Sequence, residues 1–310
     1  MNILLVAEKA EGKGGIETFA ERHAARLRAE GHEVSLVAGA DAEAIARCDE
    51  IVVHKCSDIG MLASFPPEKT VAYLHDHEAI CPRRHAYTPF GHHCERPGAV
   101  WPCLFCAPVC RDWKGALGRV FAQARRKEIL SRFRKLVVIS RFMKERMVAN
   151  GLPAEKIEVV PPEIRLGAVS PLGRPVDLLF AGQLLKGKGL QILLPAMALL
   201  DVSRTLDVVG TGNLEAELKS LAARLGLGER VRWHGFVENV QDWMAAARCV
   251  VAPSIWPEPY GLVAAEAVAL GRRVVASDVG GLPEACGGKA VLVPPGDVAA
   301  LARALEEIPP

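Results

Sequence analysis

The chain has 310 residues, half of them hydrophobic and 24% charged, with a formal net charge of +2, which describes a globular protein with enough apolar residues for two cores. That balance excludes a polybasic nucleic-acid binder and an acidic disordered chain, so any preference for an anion has to be local. No apolar run approaches the roughly 20 residues needed to cross a bilayer, and the first, at 3–7, is too short for a secretory leader, so a cytoplasmic location is expected, with contact to the membrane face left open.

Short β-branched, apolar runs recur along the chain with helical stretches between them, the pattern of parallel strands buried on both faces. Six fall in the first half, at 2–7, 34–38, 51–54, 71–74, 136–139 and 157–160; six fall in the second, at 177–181, 206–209, 231–233, 250–252, 274–276 and 290–293. The expected fold class is α/β, with two Rossmann-like, doubly wound parallel sheets. Between them Pro161, Pro162, Gly167, Pro171, Gly173 and Pro175 break every period, which puts the boundary near 162–175 and the domains at 1–165 and 174–310. Ligands of such sheets bind beyond the carboxyl ends of the strands, so the expected site is a cleft between two facing domains.

After the first strand, the paired Gly14 and Gly15 precede a helix. Glycines there let the backbone approach a ligand where a Cβ would obstruct. The spacing of a dinucleotide fingerprint is absent, which argues against a dehydrogenase. His75-Asp76-His77 ends the fourth strand. A segment at 76–112 then carries Cys81, Cys94, Cys103, Cys106 and Cys110 with His85, His92 and His93 among them. In a reducing compartment such clustering points to metal more than to disulfides. Cys81, Cys94, Cys103 and Cys106 are four candidate thiolates for a structural zinc, with Cys110 or a histidine as substitutes and free thiols or an iron-sulfur cluster as alternatives. From Arg111 to Lys135 basic residues surround an apolar stripe, which suits either an ordinary half-buried helix or one resting on anionic lipid or an anionic acceptor.

In the second half, Gly182-Gln183-Leu184-Leu185-Lys186-Gly187-Lys188-Gly189 again runs from strand to loop to helix, and a lysine there can offset charge building on a diphosphate leaving group. Gly210-Thr211-Gly212 and Gly235-Phe236-Val237 end the next two strands. Proline on each side of Glu258 rules out a helix at that position, whereas Glu266 falls about one and a half turns into a helix starting near Gly261. Two carboxylates thus flank a helix N-terminus, whose free N–H groups suit a phosphate while the acids suit sugar hydroxyls.

This run of residues resembles the two-glutamate signature of the family 4 retaining glycosyltransferases of GT-B fold, closely over about 177–305 and loosely before it. The resemblance implies that Glu258 contacts hydroxyls of a donor sugar, that Glu266 binds the nucleotide ribose, and that the turn from Tyr260 through Gly261, Leu262 and Val263 meets donor sugar and phosphate. It implies a phosphate role for Lys188 and for Gly14 and Gly15, a place beneath the donor for Gly212, and backbone contact with the nucleobase at Phe236 and Val237. His75 matches the position beside the transferring sugar, where it would position and polarise rather than act as a proven acid or base. The family usually carries Arg where this chain has Gln183; Lys186, on the same loop, is the candidate to compensate. A subset of the family resembles the cysteine run as well. Family members commonly continue past the last helix, where this sequence has only Pro309 and Pro310, so weaker closure of the cleft is expected.

The implied activity is hexosyl transfer from a UDP-, GDP- or ADP-linked sugar to a glycan or lipid-linked acceptor, without catalytic metal, in cell-envelope polysaccharide synthesis and with no nucleic-acid partner. Two alternatives remain open: a sugar-nucleotide epimerase on the same fold, and a catalytically silent nucleotide-sugar-binding subunit.

Overall fold

The computed structural model describes residues 1–7, 15–40, 42–82, 86, 94, 103, 106, 113–170 and 172–309. It divides into two compact units, Met1–Pro161 and Pro162–Pro310.

The first unit runs β1 (Asn2–Val6), α1 (Gly15–Ala29), β2 (Glu33–Val37), α2 (Ala42–Arg47), β3 (Glu50–Val53), α3 (Ile59–Ser64), β4 (Thr70–Leu74), α4 (Trp113–Arg132), β5 (Lys135–Val138), α5 (Arg141–Ala149) and β6 (Ile157–Val159). Every pairing is parallel, in the order β2-β1-β3-β4-β5-β6. Ile3, Leu4, Leu5 and Val6 are all buried, so successive side chains of β1 are covered on opposite faces, as the continuous apolar run demands. Helix starts follow capping chemistry: Asp58 accepts from the Met61 N–H to open α3, and Ser140 accepts from the Met143 N–H to open α5. Beyond β4, the Asp76 carboxylate accepts from the Glu78 N–H and turns the chain sharply after His75.

The second unit runs β7 (Val176–Ala181), α6 (Leu190–Leu199), β8 (Leu206–Val209), α7 (Glu215–Arg224), β9 (Val231–Gly235), α8 (Val240–Ala246), β10 (Ala247–Ala252), α9 (Leu262–Ala269), β11 (Arg273–Ser277), α10 (Leu282–Cys286), β12 (Val291–Val293) and α11 (Val298–Glu306). Its sheet is parallel throughout, ordered β12-β11-β10-β7-β8-β9. Alternate residues feed two cores. Leu178, Phe180, Cys249, Val251 and Val275 pack against α6, α7 and α11, whereas Leu179, Ala181, Val250, Val274 and Ala276 pack against α8, α9 and α10. Each fully buried leucine there contributes about 1.5–3 kcal/mol.

All twelve strands anticipated from the sequence are present, with ends shifted by no more than three residues. The division at Pro161/Pro162 falls on the proline pair, and the chain just after it is tied to α8: Gly167 N–H donates to Gln241 Oε1 at 2.9 Å and Ser170 N–H to Asp242 Oδ1 at 2.7 Å. Among the described residues no helix is long and apolar enough to cross a membrane.

Candidate active site

In the second sheet the first and fourth strands of the unit, β7 and β10, lie side by side, and the connections leaving them run to opposite sides. That reversal opens a crevice at their carboxyl ends. Lys188 comes from the loop after β7 and Glu258 from the loop after β10. They meet there, with Lys188 Nζ donating to Glu258 Oε1 at 2.7 Å. The same oxygen accepts from Ser254 Oγ at 2.7 Å and from the Trp256 indole N–H at 3.2 Å. Burial alone would push the Glu258 carboxyl up. The Lys188 ammonium and the three hydrogen bonds outweigh it and hold the carboxyl below its ordinary range, so Glu258 is a buried carboxylate, 8% exposed. Lys188 spends one of its three N–H groups on this bond and rests over the Trp256 ring at 5.6 Å, with its side chain 27% exposed.

Glycine makes this convergence possible. A Cβ on Gly187 would stand 2.1 Å from the Trp256 ring, and one on Gly189, where φ is +78°, would stand 1.7 Å from the Pro253 carbonyl oxygen. On the far side Gly280, at φ +64°, leaves only 2.5 Å between a would-be Cβ and the Glu258 backbone, while the Gly281 N–H donates to the Glu258 carbonyl at 2.7 Å. Three loops therefore interlock at backbone distance around one carboxylate, which no larger residue would allow.

Helix α9 begins just beyond. Gly261 is its N-cap, at φ +110°, and offers no side chain, so helix geometry leaves the N–H groups of Leu262, Val263 and Ala264 without an intrahelical acceptor. Glu266 is the fifth residue of α9 and Tyr260 sits half-buried on the turn before it. At Gly212 a Cβ would collide with the Leu184 backbone at 2.4 Å, so its smallness joins the loops after β7 and β8. Gln183 and Lys186 are exposed; Phe236 is 71% exposed, whereas Val237 packs against the second core. The structure thus brings Lys188, Glu258 and Gly261 onto adjoining loops and leaves Gln183, Lys186 and Phe236 at the surface.

In the first unit the corresponding reversal lies between β1 and β3. Gly14 lies outside the described residues, and Gly15 is the first residue of α1. His75 directly follows β4 and its Nε2 is 3.0 Å from Nδ1 of His54, which directly follows β3; His54 Nε2 is in turn 2.9 Å from Nδ1 of His23 on α1. Phe19 and Tyr73 pack edge-on and tilted against these rings. Burial first, then the Lys55 charge and His23, pushes His75 down to about 4, so it is a neutral imidazole at pH 7. A small pocket of about 40 Å³ opens beside it, lined by Lys55, Cys56, Tyr73, Glu78 and Arg126.

Among the described residues no group of three or more His, Cys, Asp or Glu side chains is placed to hold a metal ion. Of the four cysteines expected to hold a structural zinc, Cys81 and Cys103 are buried and Cys94 and Cys106 half-buried. Cys110, His85, His92 and His93 lie outside the described residues. The basic stretch does form a helix, α4, and four of its cations are engaged within the chain. Arg125 and Arg132 pair with Glu128, Arg126 pairs with Glu78 and donates to the carbonyls of Cys56 and Ser57, and Lys127 donates to the Asn150 carbonyl.

Sequence reasoning missed Ser254, Trp256, His23 and His54. The first two lie within four residues of Glu258 and were legible as polar groups on the same rigid turn. His54 carries the signal that singled out His75, a histidine at a strand's carboxyl end. His23 sits mid-helix and carries none.

Residues 14–163 match the family described as glycosyl transferase 4-like domain, and residues 175–308 match glycosyl transferases group 1. A D-inositol 3-phosphate glycosyltransferase of Streptomyces griseus is 43% identical over 141 residues, covering 40% of this chain and 30% of that protein. One from Xylanimonas cellulosilytica is 36% identical over 190 residues, covering 53% and 45%. The chain therefore spans less than half the length of the curated relatives it matches. Among solved structures, Anabaena HepE, determined with UDP and glucose, superimposes with a TM-score of 0.69 at 22% identity, covering 98% of this chain and 88% of that one. WaaG, a glycosyltransferase involved in lipopolysaccharide biosynthesis, gives 0.67 at 17% identity, covering 99% and 90%. These two likenesses establish the fold. With its halves matched in turn by the two domain families, the chain belongs to the group 1, family 4-like glycosyltransferases of GT-B fold.

Proposed function

We propose that the protein transfers a hexosyl group, with retention, from a nucleotide-sugar donor to a glycan or lipid-linked acceptor of the cell envelope. The observation that carries this reading is the three-donor grip on Glu258 Oε1 beside the uncapped start of α9. A buried carboxylate already ionised by Lys188 is a hydrogen-bond acceptor and cannot serve as an acid, which suits contact with sugar hydroxyls. Lys188 retains two N–H groups for a phosphate oxygen, and the N–H groups at Leu262 and Val263 add the positive end of a helix dipole. Both would stabilise a departing diphosphate, the main electrostatic task of glycosyl transfer. Glu266, four residues into the helix from Leu262, is the proposed ribose ligand, Phe236 and Val237 the proposed base contacts, and Gly14 and Gly15 the proposed phosphate loop of the first domain. His75 takes a positioning role in the same reaction as a neutral imidazole. The retaining outcome rests on the family resemblance.

Thermal shift with UDP-, GDP- and ADP-hexoses, followed by transfer assays with the active donor, tests the reading. One donor should raise the melting temperature in the native protein and not in Lys188→Met; no shift with any donor would overturn the assignment. A second reading, a silent nucleotide-sugar-binding subunit, is favoured by the neutral, exposed Gln183 at the position where the family carries arginine. Gln183→Arg separates the two. Donor binding without transfer in the native protein, and transfer only in the variant, would identify the silent subunit.

A further inference from the structure

The imidazoles of His23, His54 and His75 form a continuous chain across the first sheet's carboxyl edge. They come from α1 and from the ends of β3 and β4, with contacts of 2.9 and 3.0 Å. His23 and His54 are buried, at 8% and 1% exposure, and Phe19 and Tyr73 seal the rings from the side. Arg26 and Lys55 are the cations acting on this cluster. Burial first, then Arg26, holds His23 at about 4; His54 is held well below its ordinary value by burial, then by His75 and His23. The chain is therefore neutral around pH 7, with one N–H on each ring.

Neutral imidazoles couple their tautomers. Each contact needs one nitrogen as donor and the other as acceptor. If His54 carries its hydrogen on Nδ1, it donates to His75 Nε2, and its own Nε2 must accept from His23 Nδ1. If the hydrogen is on Nε2, both bonds reverse. Any mixed arrangement faces two hydrogens or two lone pairs at under about 3.1 Å, which the buried setting penalises. All three rings therefore share one tautomer. Nδ1 of His75, which has no protein partner among the described residues, then takes the hydrogen-bonding sense opposite to Nε2 of His23.

We infer that His23 and His54 are positioning residues that set the tautomer and ring plane of His75, so that its Nδ1 presents a single donor or acceptor sense to a bound hydroxyl. This deepens the role proposed for His75 and rests on it only for the identity of the ligand.

Two-bond proton–nitrogen NMR correlation of protein labelled with nitrogen-15 histidine reads the tautomers directly. In the native protein at pH 7, His54 and His75 should each show one pyrrole-type and one pyridine-type nitrogen, in the same tautomer. In His54→Phe, which keeps a ring against Tyr73 and removes both nitrogens, His75 should pass to averaged tautomers, and kcat should fall about tenfold with KM for the donor unchanged. In His23→Phe, His54 should lose its fixed pattern. Averaged or opposite tautomers in the native protein would overturn the inference, as would an unchanged His75 pattern in folded His54→Phe. The native spectrum and His23→Phe decide the matter if His54→Phe does not fold. Fixed tautomers together with full turnover in His75→Ala would leave the coupling standing and remove His75 from the proposed reaction.

Discussion

Lys188 and Glu258, 70 residues apart in the chain, meet at 2.7 Å because the strands that precede them are immediate neighbours in the second sheet. Their bond neutralises a carboxylate that burial alone would disfavour, and it leaves most of the lysine's donors for an anion.

Breaking that pair from one side should cost more than removing it. Lys188→Met strands the Glu258 carboxylate with two of its three donors and should destabilise by about 1–3 kcal/mol. The double variant Lys188→Met/Glu258→Gln should recover at least half of that loss in urea denaturation. Simple additivity of the two single effects would show that the contact is not an energetic pair.

Glycine at 280 is set by space as well as by backbone conformation. Gly226, at φ +68° with nothing within 4 Å, supplies a control, and Gly226→Ala should cost only the left-handed penalty of about 1–2 kcal/mol. Gly280→Ala, whose Cβ meets the Glu258 backbone at 2.5 Å, should cost clearly more and abolish the donor-induced melting shift. Equal losses at the two sites would contradict the interlocked-loop account.

His23 and His75 stay neutral in the folded state down to about pH 4, whereas their unfolded counterparts take up protons below about 6.5. The unfolded state therefore binds more protons in that window, so stability is complete above pH 6.5 and drains as pH falls towards 4. Each histidine accounts for on the order of 3 kcal/mol over the window. Urea midpoints measured from pH 7.5 to 5 should fall steeply in the native protein and less in His23→Phe. A flat native profile would contradict the burial of these rings.

Arg126 and Arg132 lie on the same helix with opposite standing. Arg126 is 11% exposed and serves Glu78 and two carbonyls, so Arg126→Ala should destabilise by about 2–4 kcal/mol. Arg132, 59% exposed beside Glu128, should tolerate alanine within about 0.5 kcal/mol. Thermal denaturation of the two variants compares them, and equal effects would make α4 a solvated basic face after all.

Twelve strands were readable from the chain because a parallel strand buried on both faces writes its signature in consecutive residues, and hydrophobic periodicity is a local property. The same holds for the prolines that keep Glu258 out of a helix and for the start of α9 at Gly261. What a residue touches is not local. Only the order of strands in each sheet brings the β7 loop to the β10 loop, hands Glu258 its Lys188 donor, and joins His23, His54 and His75 through 21- and 31-residue separations. The folded chain also supplies contacts that composition does not carry. Arg126 and Lys127 of α4 meet acids and carbonyls from other elements, and Gly212 abuts the Leu184 backbone, because each contact depends on partners that sheet order and loop packing supply.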